Sequence, residues 1–449
     1  MEKLLYLLYC AAGIVCHALL VPAAPVLRRL GGRYAYGLDQ RLGRLPRRQL
    51  SRFASGPTLW VHASSVGEVQ AAVILIRALL AAGCTGRFVL TTTTWQGQRM
   101  AQDRLGAQGV VCRMAPLDVY LAVQRTIRWV RPDLYIGLET ELWPLLLTSL
   151  GRAGIPFLIL NGRLSARSFS RYRRVRSFMR LFLRHVRRIG AISAADAERF
   201  VALGAPADRV QVCGNLKYDM PAGDTGQVRA LQRRRLAVTD QKVLVCGSTH
   251  PGEEEQLIPV FMQLAAVLPL VWVLAPRHVE RVGAVGSLLS AAGLPYVLYS
   301  QLTGQERRAA VVLVDTIGDL ADLYCGGDYI FCGGSLVPMG GHNLLEAARW
   351  GRPVYFGPHV DSFQDAADLL LACGGGFIVA DADELASRIL YHQGHPEAYL
   401  AACSSAASAA SGQRGAVDRQ TEIVMQCLAD LSPPSGAGQR HGPGTQKRL

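Results

Sequence analysis

Residues 331–359, FCGGSLVPMGGHNLLEAARWGRPVYFGPH, contain the pattern that decides the fold of this chain. An apolar, strand-like run leads into the glycine pairs Gly333-Gly334 and Gly340-Gly341, and helix-like sequence follows at once. Glycines between a strand and a helix let backbone N–H groups approach a phosphate, and the helix N-terminus adds positive potential. Glu346 lies one turn inside that helix, where a carboxylate can bind ribose hydroxyls. The stretch predicts the nucleotide end of a sugar-donor site.

Strand-like apolar runs alternate with helix-like segments on both sides of this stretch, which indicates parallel, doubly wound sheets. A polar linker near residues 220–228 divides the pattern into two α/β, Rossmann-like domains. We place these domains at residues 28–219 and 229–430. The closing segment 431–449 is rich in Pro, Gly and basic residues and is predicted to be disordered.

The composition is that of a globular, basic protein with reduced cysteines. The 449 residues suffice for two cores, and 48 Lys and Arg against 34 Asp and Glu give a formal net charge of +14. This charge favours an anionic partner: nucleic acid, a phosphorylated substrate or an anionic membrane. The 11 cysteines form no CxxC pair, which indicates a cytosolic location for the body of the protein.

The N-terminal segment 4–26 contains no charged residue and is long enough to span a bilayer as a helix. Arginines concentrate after it, in residues 28–52, which places the body of the protein on the cytoplasmic side. We therefore predict an N-terminal membrane anchor helix within residues 1–27. The alternative is an amphipathic or buried helix that packs on the first domain.

Residues 163–188 contain ten arginines interleaved with apolar side chains, and no acidic residue lies between Glu141 and Asp196. This pattern predicts one basic amphipathic helix. Such a helix can bind anionic lipid headgroups or phosphates of an acceptor, or it can be an ordinary solvated surface.

Candidate catalytic carboxylates follow strand ends in the first domain. Glu68 can act as the base that deprotonates a sugar hydroxyl, but Ser65-Val-Gly-Glu68 also fits a capping box in which Glu68 only satisfies backbone N–H groups. Glu139 and Glu141 can orient an acceptor or can be surface residues, and their spacing puts them on opposite faces if the strand continues.

Candidate donor ligands follow strand ends in the second domain and at the junction between domains. Ser248 can bind a phosphate or cap a helix, and Arg277 can pair with an anion or be solvated. Lys217 can reach a negative donor or lie on the surface of the hinge. Asn343 can cap the helix that carries Glu346, although the flanking glycines favour ligand binding.

The sequence contains no metal-binding cluster, no GxxxxGK[ST] phosphate loop and no GxSxG nucleophile motif. P-loop nucleotide hydrolysis and serine esterase chemistry are therefore not indicated. No metal or other cofactor is expected.

Several motifs, in order, resemble those of the 3-deoxy-D-manno-octulosonic acid (Kdo) transferases of Gram-negative bacteria. They are HASSVGEVQAA (62–72), ETELWP (139–144), NGRLSARSFSRY (161–172), GNLKYD (214–219), GSTHPGEEE (247–255), PRH (276–278) and the stretch from residue 333 to 359. The resemblance covers residues 30 to 430. It implies the GT-B glycosyltransferase fold, with an acceptor domain and a donor domain facing a cleft.

The resemblance also implies the chemistry and the site. The donor is CMP-Kdo, the acceptor is a lipid A precursor (lipid IVA), and the enzyme acts without a metal on the cytoplasmic face of the inner membrane. Glu68 takes the role of general base, and Glu141 and Arg163 are placed with the acceptor. The donor-binding set comprises Arg277, Asn343, Glu346, Ser248, Gly340, Gly341 and Lys217.

The sequence departs from the family pattern at two places. Ala347 stands where the family usually has Pro, and residues 361–365 replace an Asn-Phe-x-Glu pattern.

Two alternative functions are also considered. The first alternative is a GT-B transferase or epimerase that uses a UDP-sugar such as UDP-N-acetylglucosamine. The second is a non-enzymatic module whose basic face binds nucleic acid or membranes with strong salt dependence; no recognised nucleic-acid motif supports it.

Overall fold

A computed structural model describes residues 2–30, 36–46, 56–219, 225–302 and 306–431. These residues form two compact α/β units, one comprising the chain up to Asp219 together with the residues from Gly415 onwards, and the other comprising the intervening chain up to Arg414. Each unit has a sheet of seven strands, all pairs of which are parallel. The α/β fold class that the sequence predicts is confirmed.

The first unit begins with nine helices and seven strands in the described chain up to Asp219. The strands are β1 (Thr58–His62), β2 (Arg87–Thr92), β3 (Val111–Met114), β4 (Leu134–Leu138), β5 (Phe157–Gly162), β6 (Arg188–Ala191) and β7 (Val210–Val212). The helices are α1 (Glu2–Leu30), α2 (Leu38–Arg41), α3 (Val66–Ala81), α4 (Trp95–Leu105), α5 (Tyr120–Val130), α6 (Pro144–Arg152), α7 (Ala166–Arg174), α8 (Arg176–Leu183) and α9 (Ala194–Leu203).

The order of the first sheet is β3-β2-β1-β4-β5-β6-β7. Strands β2 and β3 are added on one side of β1, and β4 to β7 are added on the other side, so the switch point of the sheet lies between β1 and β4. Ligands of doubly wound sheets bind at such a switch point, beyond the carboxyl ends of the strands. Alternate strand residues bury opposite faces: Leu59 and Val61 pack in one core cluster, and Trp60 packs in another. This pattern explains why the strands read as continuous apolar runs.

The second unit repeats the alternation, with a sheet of order β10-β11-β9-β8-β12-β13-β14 whose switch point lies between β8 and β12. Its strands are β8 (Lys242–Thr249), β9 (Leu270–Pro276), β10 (Tyr296–Leu298), β11 (Val311–Leu313), β12 (Tyr329–Cys332), β13 (Val354–Phe356) and β14 (Gly376–Ile378). Its helices are α10 (Thr225–Arg235), α11 (Glu253–Ala265), α12 (Val282–Ala291), α13 (Leu320–Gly326), α14 (Leu344–Ala348), α15 (Gln364–Cys373), α16 (Ala382–Gly394) and α17 (Pro396–Ser411).

The final described helix, α18 (Ala416–Leu431), belongs to the first unit, so our boundary of 430 for the second domain is wrong. Asp219 accepts hydrogen bonds from the Gly415 N–H (2.9 Å) and the Val417 N–H (2.7 Å) and so fixes the start of α18. Buried Gln420 accepts from the Asn161 N–H (2.7 Å) and donates to a carbonyl of the same unit. These contacts are between residues distant in sequence, which residue patterns do not reveal.

Other predicted boundaries also change. Residues 225–228 begin α10 rather than continuing a linker, and residues 220–224 lie outside the described chain. The predicted tail also lies outside it, apart from Leu431, which ends α18. The arginine-rich segment forms two helices, α7 and α8, separated at Val175, rather than one.

Helix α1 packs along the first unit through one stripe of its surface. Tyr6, His17 and Ala24 are buried, and the Tyr9 hydroxyl donates to Asp118 Oδ2 (2.9 Å). The 22 residues Leu5–Val26 are long and apolar enough to cross a membrane, and most of their side chains are exposed. The helix therefore has a docked stripe and a large exposed apolar surface.

Candidate active site

Glu68 lies in the first turn of α3, directly beyond the carboxyl end of β1. Its Oε2 accepts from the Ser64 N–H (2.6 Å), and the Ser65 hydroxyl donates to Oε1 (3.1 Å). Ser65 is also the N-cap of α3, accepting from the Glu68 N–H (3.4 Å). The capping contacts that the sequence suggests are therefore present, and they fix the orientation of the carboxyl group.

Two further carboxyl groups lie close enough to Glu68 to alter its protonation. Burial raises the pKa of Glu68 to about 8, and the charges of Glu141 and Glu139 contribute to the rise, against lowering hydrogen bonds from Ser64 and Ser65. Strand β4 ends at Leu138, and Glu139 has a left-handed backbone (φ 57°). The chain turns there, so the expected separation of Glu139 and Glu141 on opposite faces does not apply.

Glu141 is held by two side chains that sequence reasoning missed. Its Oε2 lies 2.8 Å from His62 Nε2 and accepts from Trp143 Nε1 at 2.5 Å. Burial acts to raise the pKa of Glu141, but the hydrogen bond and charge of His62, the Trp143 bond and a bond with Glu68 lower it overall. The available signal was a polar residue, His62, at the end of a fully buried strand.

Lys217 and Arg163 also lie in the first unit. Lys217 Nζ is 2.6 Å from Glu139 Oε1, so this side chain joins the carboxylate cluster; its predicted contact with the donor stays a prediction. The Arg163 carbonyl accepts a hydrogen bond from the Thr140 hydroxyl, which ties the loop after β5 to the loop after β4. The acceptor-binding role of Arg163 is likewise untested.

The glycine-rich stretch of the second unit is not an open phosphate cradle at its first turn. Glu253 is fully buried, and its carboxylate accepts from the N–H groups of Gly334 (2.6 Å), Ser335 (3.0 Å) and Leu336 (3.0 Å). It also accepts from the His250 N–H at 2.9 Å. An internal carboxylate thus occupies the N–H groups that we predicted would bind a phosphate.

The second glycine pair shapes a long loop between β12 and α14, so the helix does not follow the first glycines directly. Gly340 and Gly341 have left-handed backbones (φ 88° and 75°), and the Gly341 N–H donates to the Gly334 carbonyl (2.8 Å). Asn343 caps α14 by accepting from the Leu345 N–H at 3.2 Å. The cap that the sequence offers as an alternative is therefore formed.

Glu346 and Arg277 retain free polar groups. Burial raises the pKa of Glu346, while the charges of Arg349 and Arg277 act to lower it. Within the described residues neither the Glu346 carboxyl nor the Arg277 guanidinium has a hydrogen bond or an ion pair. Both groups lie within electrostatic reach of each other and can bind a ligand.

The end of β8 supplies the remaining groups. Ser248 has a left-handed backbone (φ 57°), a conformation that costs energy for a non-glycine residue and often marks functional sites. His250 and His342 stack 5.2 Å apart with their Nε2 atoms at 2.9 Å, and Arg277 contributes to lowering the pKa of His342 to about 4, mainly an effect of burial. These histidines were also missed from sequence.

Among the residues that the structure describes, no three His, Cys, Asp or Glu side chains are grouped so as to hold a metal ion. The expectation that no metal takes part stays a prediction.

Comparisons with known proteins agree with the motifs. Residues 36–220 match the family described as 3-Deoxy-D-manno-octulosonic-acid transferase (kdotransferase). The 3-deoxy-D-manno-octulosonic acid transferase of Haemophilus influenzae is 31% identical over 427 residues, covering 94% of this chain and 98% of that protein. The enzyme of the same name from Chlamydophila psittaci is 32% identical over 376 residues, covering 83% and 86%.

The fold is similar to that of a solved structure with little sequence identity. A UDP-GlcNAc 2-epimerase from Neisseria meningitidis matches with a TM-score of 0.52 at 14% identity, covering 83% of this chain and 99% of that chain. This likeness places the two Rossmann-like units in the GT-B fold class.

The contacts of Glu253 generate a stability prediction. Glu253→Gln removes the charge that serves four backbone N–H groups and introduces an amide donor facing them. Hydrogen bonds to a charged partner contribute about 1.5–3 kcal/mol each, so we expect a loss of about 3 kcal/mol or more in the free energy of unfolding. Urea denaturation measures it.

The matched control is Glu255→Gln, in the same helical turn. Glu255 is exposed and accepts a hydrogen bond from the Gly252 N–H, and glutamine can keep that bond. Equal stabilities of the two variants would contradict the structural role of Glu253.

Proposed function

The chain belongs to the 3-deoxy-D-manno-octulosonic acid (Kdo) transferase family, and from this premise we propose that it transfers Kdo from CMP-Kdo to a lipid A precursor, lipid IVA, with inversion of the anomeric carbon. The observation that carries the proposal is the Glu68 carboxyl group. It is fixed at the switch point of the first unit with a pKa of about 8. A base works best when its pKa is near the operating pH.

The proposed reaction is a displacement at the anomeric carbon of Kdo. The bond from that carbon to the CMP phosphate breaks, and its electron pair leaves with the phosphate oxygen. A hydroxyl oxygen of the acceptor forms the new bond from the opposite face, and its proton passes to Glu68. Glu68 must be ionised for this step, so the reaction is expected to speed up as the carboxyl group loses its proton.

The groups of the second unit suit the donor in this proposal. Kdo carries a carboxylate and CMP carries one phosphate, so the donor is doubly anionic. Arg277 provides a guanidinium that can pair with such a group, and Glu346 can accept hydrogen bonds from ribose hydroxyls. Asn343, Ser248 and the Gly340-Gly341 turn lie on neighbouring loops of the same unit and complete the proposed donor set. No metal takes part in the proposed reaction.

The base is tested by Glu68→Ala. We expect turnover of CMP-Kdo with a tetraacylated lipid A precursor, followed by mass spectrometry, to fall by about 100-fold or more, while CMP binding is unchanged. For the unaltered enzyme, kcat/KM should rise with pH through about 8, because the free enzyme must lose the Glu68 proton.

Ser65→Ala is the matched control, because it removes the hydroxyl that caps α3 but keeps the carboxyl group. It should cost about 1 kcal/mol of stability and lower turnover much less than Glu68→Ala does, because the Glu68 carboxyl group keeps its hydrogen bond from the Ser64 N–H. Retained turnover in Glu68→Ala, with a stability loss like that of Ser65→Ala, would leave Glu68 a purely structural role.

The donor site is tested by binding of CMP to Arg277→Ala and Glu346→Gln. Each loses one charged partner, so we expect the Kd to rise about 10- to 100-fold in calorimetric titrations. Glu280→Ala, on the loop that follows Arg277, is the control, since its side chain is 80% exposed. Tighter binding of UDP than of CMP by the unaltered protein would instead favour a UDP-sugar transferase or epimerase.

The membrane location is the last element of the proposal, and α1 supports it. The exposed surface of α1 includes Leu8, Val15 and Leu19, each more than half exposed. The proposed acceptor, a lipid A precursor, lies in a membrane, so the enzyme must reach the membrane surface. The arginines of α7 and α8 can add attraction to anionic lipid. We propose the cytoplasmic face of the inner membrane, with α1 as the apolar contact.

We expect the triple substitution Leu8→Asn, Val15→Asn and Leu19→Asn to lower the fraction of protein that floats with vesicles containing phosphatidylglycerol. Exposed residues are replaced, so the docked stripe and the fold should be retained. Leu231→Asn, Met262→Asn and Val267→Asn form the control, because these apolar residues are similarly exposed in the second unit. If the α1 variant floats with the vesicles as fully as the unaltered protein, membrane binding is due to another surface and not to α1.

A further inference from the structure

His62 takes part in a chain of hydrogen bonds that leads to Glu68. Trp60 Nε1 donates to Thr91 Oγ1 (2.9 Å), which lies 3.0 Å from His62 Nδ1. His62 Nε2 lies 2.8 Å from Glu141 Oε2, and the charge of Glu141 in turn contributes to the raised pKa of Glu68. His62 is 2% exposed, so water does not compete for these contacts.

Strand register creates this chain. In the first sheet His62 pairs with Thr91 of β2 on one side and with Gly137 of β4 on the other. A Cβ at Gly137 would lie 3.7 Å from the Glu141 backbone oxygen and from its Cβ, so the glycine lets the loop after β4 fold back closely. That fold brings the Glu141 carboxyl to the imidazole.

The hydrogen-bond partners determine which nitrogen of His62 carries the proton. An ionised Glu141 carboxylate can only accept, so His62 Nε2, which lies 2.8 Å from Glu141 Oε2, carries a hydrogen and donates it. In the neutral imidazole Nδ1 is then the acceptor, and the Thr91 hydroxyl at 3.0 Å donates to it. Trp143 Nε1, which can only donate, faces the same Glu141 oxygen.

We propose that His62 is a positioning residue for Kdo transfer: its Nε2–H holds Glu141 ionised and oriented against Glu68. The inference rests on the proposed function, because it acts through the base assigned there. His62 itself contacts neither the donor nor the acceptor in this role. Its effect is to set the charge that Glu68 faces before the acceptor hydroxyl arrives.

Other charged or titratable groups lie near Glu68 and Glu141 and also influence the protonation of these two carboxyl groups. Glu139 adds negative charge near Glu68, and Lys217 Nζ offsets it with an ion pair. The buried Tyr135 hydroxyl, which has no hydrogen-bond partner in the described chain, lies within electrostatic reach of Glu141, Glu68 and Asp118. His62 and Trp143 both donate to the Glu141 carboxylate.

The direction of the effect follows from the charges. Without the His62 donor, Glu141 takes up a proton at higher pH. A neutral Glu141 no longer repels the Glu68 anion and can donate a hydrogen bond to it, so the pKa of Glu68 falls. The rise of kcat/KM with pH then moves to lower pH, while the misplaced carboxyl groups reduce kcat.

The test compares His62→Leu, which removes the donor, with His62→Gln, whose amide N–H can replace Nε2–H but cannot take up a proton. We expect His62→Leu to lower kcat about 10- to 100-fold, with the KM for CMP-Kdo unchanged. The limb of the pH profile, meaning the rise of kcat/KM with pH, should move to lower pH by about one unit or more. His62→Gln should restore most of kcat and the original limb.

Trp143→Phe keeps an aromatic ring, removes the other donor and should shift the limb in the same direction, which keeps the test informative if His62→Leu fails to fold. Thr92→Val is the matched control, because Thr92 is buried on the opposite face of β2. It should leave the pH profile unchanged.

An unshifted limb in both His62→Leu and Trp143→Phe overturns the inference, and so does an equal impairment of His62→Gln and His62→Leu. Glu68→Ala, assayed in parallel, distinguishes the two hypotheses: retained turnover there refutes the proposed base instead. Infrared titration of the protonated carboxyl band in His62→Leu measures the coupling without turnover and should show a carboxyl group titrating at lower pH than in the unaltered protein.

Discussion

A carboxylate buried beyond the end of a parallel strand needs hydrogen-bond donors, and this requirement organises both units. Each unit has a Gly-Glu pair in the turn after the first strand of its switch point, ending at Glu68 in one and at Glu253 in the other. Glu253 accepts from four backbone N–H groups. Glu68 accepts from one backbone N–H and one hydroxyl, and it faces other carboxylates. The same turn therefore gives a carboxylate that holds a loop in one unit and a carboxyl group with a raised pKa in the other.

The two units therefore use their buried carboxyl groups differently: Glu253 holds a loop in place, whereas the carboxyl groups of the first unit affect the protonation of one another. In the second unit Glu253 binds the loop after β12. The Arg277 and Glu346 side chains, which have no hydrogen bond or ion pair within the described residues, are the groups that we propose contact the donor. In the first unit, charge is distributed among three carboxyl groups by specific partners, with Lys217 on Glu139 and His62 on Glu141. Removing a partner there changes the protonation of its neighbours as well as local packing.

Much of the fold and part of the site could be predicted from residue patterns. Buried parallel strands are continuous apolar runs, so their alternation with helices can be predicted from the sequence, and polar residues such as Glu68 and Arg277 follow the strand ends where we propose that ligands bind. β14 (Gly376–Ile378) follows two glycines and begins with a third, so no continuous apolar run marks it in the sequence. The assignment of α18 to the first unit and the break between α7 and α8 could not be predicted, because they depend on contacts between distant residues.

The sequence by itself determined the two α/β sheets, the family, the position of Glu68 after a strand and that of Glu346 in the helix after the glycine pairs, because these depend on local periodicity and on motifs. Only the tertiary structure decided that Glu253 fills the first glycine turn, that His62 is hydrogen-bonded to Glu141, and that the charge of Glu141 acts on Glu68. His62 and Glu141 are separated by 79 positions and meet at 2.8 Å because β1 and β4 are neighbours in the sheet. Strand order and burial set the charge of each carboxyl group, and neither can be read from a residue's local sequence.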